Sequence, residues 1–131
     1  MQRDTISNRV YVKFYFFADK LDFSIIDKLM GIKATKKRFK ENFPIKDFAA
    51  DYWILLTEPE ISDDIDIQIE KMYNMLPDEK VINQIREQFD AECGFRVVIE
   101  NSTPDILPAI SFERYFVKYA ALIDADISVG F

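Results

Sequence analysis

Apolar and polar residues alternate along residues 9–17 with the period of a β-strand. Val10, Val12, Phe14 and Phe16 fall on one face, and Arg9, Tyr11, Lys13, Tyr15 and Phe17 on the other. The first face is wholly apolar, while the second mixes aromatic rings with basic groups. The run Asp51-Tyr52-Trp53-Ile54-Leu55-Leu56-Thr57 marks another strand, bounded by polar residues and Pro59. It holds the only tryptophan, so Trp53 reads as a packing anchor of the core. After Gly94, Phe95, Val97 and Ile99 alternate with Arg96, Val98 and Glu100, which predicts a strand. Ile127, Val129 and Phe131 alternate with Asp126, Ser128 and Gly130, which predicts a last one.

Helical spacing lies between these stretches. Asp22 is placed to cap a helix over Phe23 to Met30, with Phe23, Ile26, Leu29 and Met30 on its apolar side and Gly31 as its stop. Ser62, Asp63 or Asp64 is placed to cap a helix running to about Leu76, with Ile65, Ile69, Met72, Tyr73 and Leu76 in register. Pro77 ends it. A second helix then spans Asp78 to Phe89 and buries Val81, Ile82, Ile85 and Phe89. Pro104 and Pro108 mark a connection, and Ser111 caps a helix carrying Phe112, Phe116, Tyr119, Ala120 and Ile123. Residues 32–50, interrupted by Pro44, fit no template and are read as a loop.

The element order is thus β-α-β, a helical hairpin, then β-α-β. A β-α-β crossover is right-handed and sets its two strands parallel. Two interleaved units predict a single α+β domain over residues 1–131, with a ferredoxin-like four-stranded sheet and helices mainly on one face. That arrangement leaves Tyr11, Lys13, Tyr15 and Phe17 uncovered, as a surface for a homodimer or a partner protein. In the competing arrangement residues 32–50 fold back over this face through Phe39, Phe43 and Phe48.

Composition narrows the chemistry. With 131 residues, 49% of them apolar and 15% aromatic, the chain can bury a substantial core. A net charge of −6 argues against general affinity for nucleic acid or anionic membrane. No apolar run approaches the roughly 20 residues of a membrane span. The start, Met1-Gln2-Arg3-Asp4, has no apolar stretch of the kind a secretion signal needs. Cys93 is the single cysteine, so no internal disulfide forms, which fits a reducing cytoplasm. Histidine is absent, which removes Ser-His-Asp and Cys-His catalysis and the commonest zinc partner.

Charge is segregated along the chain. Residues 28–46 carry seven basic and one acidic group, net +6; residues 47–131 carry six basic and eighteen acidic groups, net −12. The basic segment gathers Lys33, Lys36, Lys37, Arg38 and Lys40 around Phe39. It reads either as an anion-binding patch or as a solvated complement to the chain's own acidic helices. No glycine-rich phosphate cradle accompanies it. The acidic run Glu58, Glu60, Asp63, Asp64, Asp66 and Glu70 lacks the glycine and ligand alternation of an EF-hand, and reads as helix capping and a solvated face. Asp124 and Asp126, two apart at a strand start, would share a face and perturb each other. Cys93, beside Glu92, reads as structural.

Several of these segments resemble a bacterial family catalogued as domain of unknown function 4279. They are Val10-Tyr11-Val12-Lys13-Phe14, the Asp22 to Gly31 helix followed by Ile32 and Thr35, and Tyr52-Trp53-Ile54-Leu55. The helix pair from Ile65 to Phe89 and the strand Ile127-Ser128-Val129 complete the match. It covers about residues 8–131. Ala34 stands where a proline is expected before Thr35, and Lys40-Glu41 lacks an expected glycine. The resemblance implies a small bacterial α+β protein without an assigned activity; by analogy, some such families act as immunity or accessory proteins.

The first expectation is therefore a non-enzymatic cytoplasmic protein-binding module, with an immunity or accessory role. The second is a small-ligand or anion-binding module using the basic 33–40 loop and the sheet. The third is a histidine-free enzyme using carboxylates. The candidate binding residues are Lys33, Lys36, Lys37, Arg38, Lys40, Tyr11 and Tyr15. No cofactor, catalytic residue, metal, nucleic acid or membrane contact is expected.

Overall fold

The computed structural model describes residues 8–45, 49–61, 64–101 and 110–130. The alternating segment forms the central strand, β1 (Asn8–Ala18). It pairs antiparallel with β3 (Asp51–Leu56) on one side and with β5 (Glu92–Asn101) on the other. A three-residue strand, β2 (Lys36–Arg38), lies antiparallel along the outer edge of β3. β6 (Asp126–Gly130) runs parallel to β5 at the opposite edge. The order is β2-β3-β1-β5-β6, and the two-residue β4 (Glu60–Ile61) pairs with the start of β1. The domain is α+β, with a mixed sheet.

Two expectations change here. The sheet has more than four strands, and the Trp53 strand is the antiparallel neighbour of β1, with Phe16 opposite Trp53. The crossover from β1 leads instead to β2, which lies parallel to β1 with β3 inserted between them. The 32–50 segment is therefore not all loop: it holds β2 and a 3₁₀ turn at Lys40–Asn42. All three β2 side chains are exposed, so the sequence shows no apolar alternation there. The second crossover follows expectation, since β5 and β6 are parallel neighbours.

Local chemistry sets the helix ends. α1 (Phe23–Met30) begins where the Asp22 carboxylate accepts from the Ile25 N–H, and stops at Gly31, whose φ of 72° favours glycine. α2 (Ile65–Met75) is capped by Asp64, and α3 (Glu79–Phe89) by Asp78. Ser62 and Asp63, the other cap candidates, lie outside the described residues, as do Pro104, Pro108, Phe48 and Phe131. α4 (Arg114–Leu122) starts three residues after Ser111; Glu113 holds its cap position without a side-chain bond, so Ser111 is not the cap.

All four helices feed one core. Ile26 and Met30, Ile69 and Met72, Ile82 and Ile85, and Phe116 and Ala120 meet Val10, Val12, Phe14 and Phe16 of β1 with Trp53, Leu55, Phe95 and Val97. Ile127 and Val129 pack against this cluster partly buried.

Asp27 ties this layer to the sheet. Its Oδ1 accepts from the Trp53 indole N–H at 2.8 Å and from the Ala34 backbone N–H at 3.0 Å. Asp27→Ala would leave both donors without this acceptor. It is expected to cost about 1–3 kcal/mol, read as a lower urea midpoint; an unchanged midpoint contradicts the assignment.

Candidate functional site

With the helices on one side, the described residues leave the other side of the sheet open. Side-chain parity places Tyr11, Lys13, Tyr15 and Phe17 of β1 there, and each is only half-buried. The strand register then fixes their neighbours. Across the sheet run Arg38, Tyr52, Phe17 and Glu92; then Lys36, Ile54, Tyr15, Gly94 and Asp126; then Leu56, Lys13, Arg96 and Ser128. Apart from Glu92 and Gly94, these side chains, together with Tyr11, line a concavity of about 430 Å³.

The floor of this concavity is shaped by two strand glycines. A Cβ on Gly94 would overlap the hydroxyl end of Tyr15, and one on Gly130 would overlap the Arg96 guanidinium. Both side chains thus reach across to the neighbouring strand where only hydrogen projects upward. Arg96 also donates from Nη1 to the Ser128 Oγ at 3.3 Å.

At the β2 edge an aromatic stack closes one flank. Tyr52 stands between Phe17 at 5.4 Å and Phe43 at 5.8 Å, ring centre to ring centre, and the Arg38 guanidinium sits 4.3 Å from the Phe43 ring centre. The 32–50 segment therefore touches this face through Phe43 alone among its described rings. Phe39 packs edge-on against Phe23 of α1 instead.

Electrostatics give the face its character. Lys13, Lys36, Arg38 and Arg96 share the concavity, and Asp126 is its one carboxylate among the described residues. None of the four cations has an ion-pair partner among the described residues. Burial, followed by the charges of Arg96, Lys36 and Arg38, lowers the Lys13 pKa below its ordinary value. Burial raises the Tyr15 pKa, with Asp126 adding to the effect.

The five basic candidates do not act as one patch. Strand alternation sends Lys36 and Arg38 onto the open face, beside Tyr11 and Tyr15. Lys37 points to the helix side, its Nζ 5.8 Å from the Phe23 ring centre. Lys40 is ion-paired with Asp19, and Lys33 is exposed beyond α1. Lys13, Arg96, Tyr52, Asp126 and Ser128 were not singled out as binding residues. Lys13 shares parity with Tyr11 and Tyr15 and was within reach of that argument; Arg96 needed the strand order. A shallower groove of about 740 Å³ lies on the helix side near Lys37, Phe39, Glu87 and Asp90. Its charges are mixed in sign, so it concentrates no field.

The remaining candidates resolve separately. Asp124 and Asp126 do not form a strand-face pair. Asp124 sits in a left-handed turn (φ 51°) within 3.5 Å of Arg86, while Asp126 lines the open face. Among the described residues no group of three or more His, Cys, Asp or Glu could hold a metal ion. No helix among them is long and apolar enough to cross a membrane.

Cys93 is buried, with Sγ donating to the Ile123 carbonyl at 3.4 Å. Burial pushes its thiol up to about 12, and Arg86 opposes this only in part. The folded protein is expected to resist thiol alkylation at pH 8 and to label once unfolded in urea. Rapid labelling of the folded form contradicts this.

A family model described as domain of unknown function 4279 matches residues 8–130. No curated protein and no solved structure matches the chain.

Proposed function

The chain belongs to the family described as domain of unknown function 4279, and from the chemistry of its open face we propose that it is a non-enzymatic module that binds an anionic ligand there. One observation carries this reading: four cations share one concave face without ion-pair partners among the described residues, and Lys13 is destabilised in its charged form by burial and then by the other three. Such an arrangement is unfavourable in the free protein and is relieved when an anion arrives. The finer fold expectation belongs to the same proposal. In place of the expected set β1, β3, β5 and β6, the strands β2-β3-β1-β5, every neighbouring pair antiparallel, are read as the ferredoxin-like core, with α4 and β6 appended. An experimental structure with β3 outside the β1–β2 gap contradicts that.

The protein-binding expectation is narrowed by the same charges. A two-fold homodimer through this face would set four cations against four cations, because an isologous interface pairs a patch with itself. The homodimer reading is set aside on that ground, and gel filtration at high concentration is expected to show a monomer. An acidic partner surface remains compatible with the field.

The test is thermal stabilisation by inorganic phosphate and sulfate. A ligand that binds only the folded state stabilises it by RT ln(1 + L/Kd), L being the ligand concentration, so the midpoint rises with the logarithm of that concentration above Kd. The wild-type midpoint should rise with phosphate and the rise should shrink in added sodium chloride. A Lys36→Glu, Arg38→Glu double variant should show no rise. Equal shifts in wild type and double variant contradict the proposal.

A further inference from the structure

The open face is polar along one direction, and that polarity identifies its ligand more closely. This step rests on the anion-binding reading above. Three of the four cations lie toward one end, Lys36 and Arg38 on β2 with Lys13 two strands away on β1, while the fourth, Arg96, reaches from β5 over β6. Asp126 on β6 holds the other end. Four strand spacings separate β2 from β6, roughly 19 Å at about 4.8 Å each, so one phosphate cannot meet both ends. Between them lies Tyr15, its hydroxyl end reaching across Gly94 and its ring centre 6.0 Å from Phe17 and 6.1 Å from Tyr52, so that it forms the inner end of the aromatic row that continues through Tyr52 to Phe43. Arg96 lies over Gly130 in the adjoining row, beside Ser128.

We propose that this face binds a mononucleotide, with its phosphate among Lys13, Lys36 and Arg38, its base against Tyr15, and a base N–H donated to Asp126. The concavity of about 430 Å³ matches the size of small-molecule sites, about 300–1,000 Å³. A polymeric anion fits less well. It would run past the four cations onto a chain whose net charge is −6 and whose residues 47–131 carry eighteen acidic groups against six basic ones. Aromatic stacking is sequence-tolerant, so Tyr15 supplies affinity for a planar base while Asp126 supplies the preference for an amino-bearing one.

Calorimetric titration with AMP, inorganic phosphate, a twelve-residue oligothymidylate and polyglutamate separates the outcomes. The expected result is that AMP binds at least tenfold more tightly than phosphate and more tightly than either polymer. Tyr15→Leu should remove that preference and leave phosphate affinity within about twofold. Asp126→Asn should weaken AMP and leave phosphate unchanged or slightly tighter. Adenosine should compete with AMP on the wild-type protein, which requires no variant. Equal affinity for AMP and phosphate overturns the nucleotide assignment and leaves the anion reading intact. Tighter binding of the oligonucleotide or of polyglutamate overturns it in favour of a macromolecular partner. Absence of binding by every probe overturns both.

Discussion

Replacing Trp53 with alanine is expected to cost about 3–5 kcal/mol, the range for truncating a large buried aromatic. The side chain is fully buried, its ring centre lies 5.8 Å from that of Phe16, and its indole N–H is bonded to Asp27. Truncation leaves a cavity between β3 and α1 and removes the bond that positions the helix. Against a typical total of about 5–15 kcal/mol, such a loss takes a large share of the stability. Urea unfolding should show the midpoint fall with little change in slope. Trp53→Phe should cost less, because it keeps much of the packing while losing the N–H and part of the ring volume. A loss under about 1 kcal/mol for the alanine variant contradicts Trp53 as the anchor.

Lys13→Met is expected to move binding and stability in opposite directions. Lys13 stands at the centre of the cationic face, so its removal should weaken phosphate binding by about tenfold or more, the loss of one charge-assisted contact of about 1.5–3 kcal/mol. Its pKa is lowered in the folded state, so the folded protein holds that proton less firmly than the unfolded chain does. For a base the sign follows directly: charged Lys13 works against folding at neutral pH, and that penalty disappears as pH rises toward the ordinary lysine value of 10.5. The methionine variant should therefore melt no lower than wild type at pH 7. Its margin should narrow as pH rises into the lysine range. A variant that melts well below wild type at pH 7 and keeps its phosphate affinity would place Lys13 in a packing role.

Period-two alternation made β1, β5 and β6 legible, because each turns one face toward the same helices, while β3 was legible as an apolar run bounded by polar residues and Pro59. Val10 and Phe14 could be placed in the core from alternation, and Trp53 from its size within that run. β2 left no such trace. It forms because β3 offers an unpaired edge, and Thr35 fastens its start: the Thr35 N–H donates to the Ile54 carbonyl at 2.8 Å and its Oγ1 accepts from the Leu56 N–H at 3.0 Å. Missing β2 led to the wrong partner for the first crossover. It also led to grouping Lys36, Lys37 and Arg38 by adjacency, when strand parity separates the middle one from the other two. Arg96 was visible as a residue of the same strand face, yet its meeting with Lys13 depends on β5 lying beside β1, a long-range pairing that no local pattern encodes.

The seat that Gly130 provides for Arg96 constrains how this sequence can drift. The nearest atoms a methyl at 130 would meet are the far end of the flexible Arg96 side chain, so the substitution should be tolerated by the fold while lifting the guanidinium off the sheet. Position 130 is thus free to vary only where position 96 has ceased to matter or has become short. Among relatives, a residue larger than glycine at 130 should accompany loss of the arginine at 96, and the two positions should change as a pair.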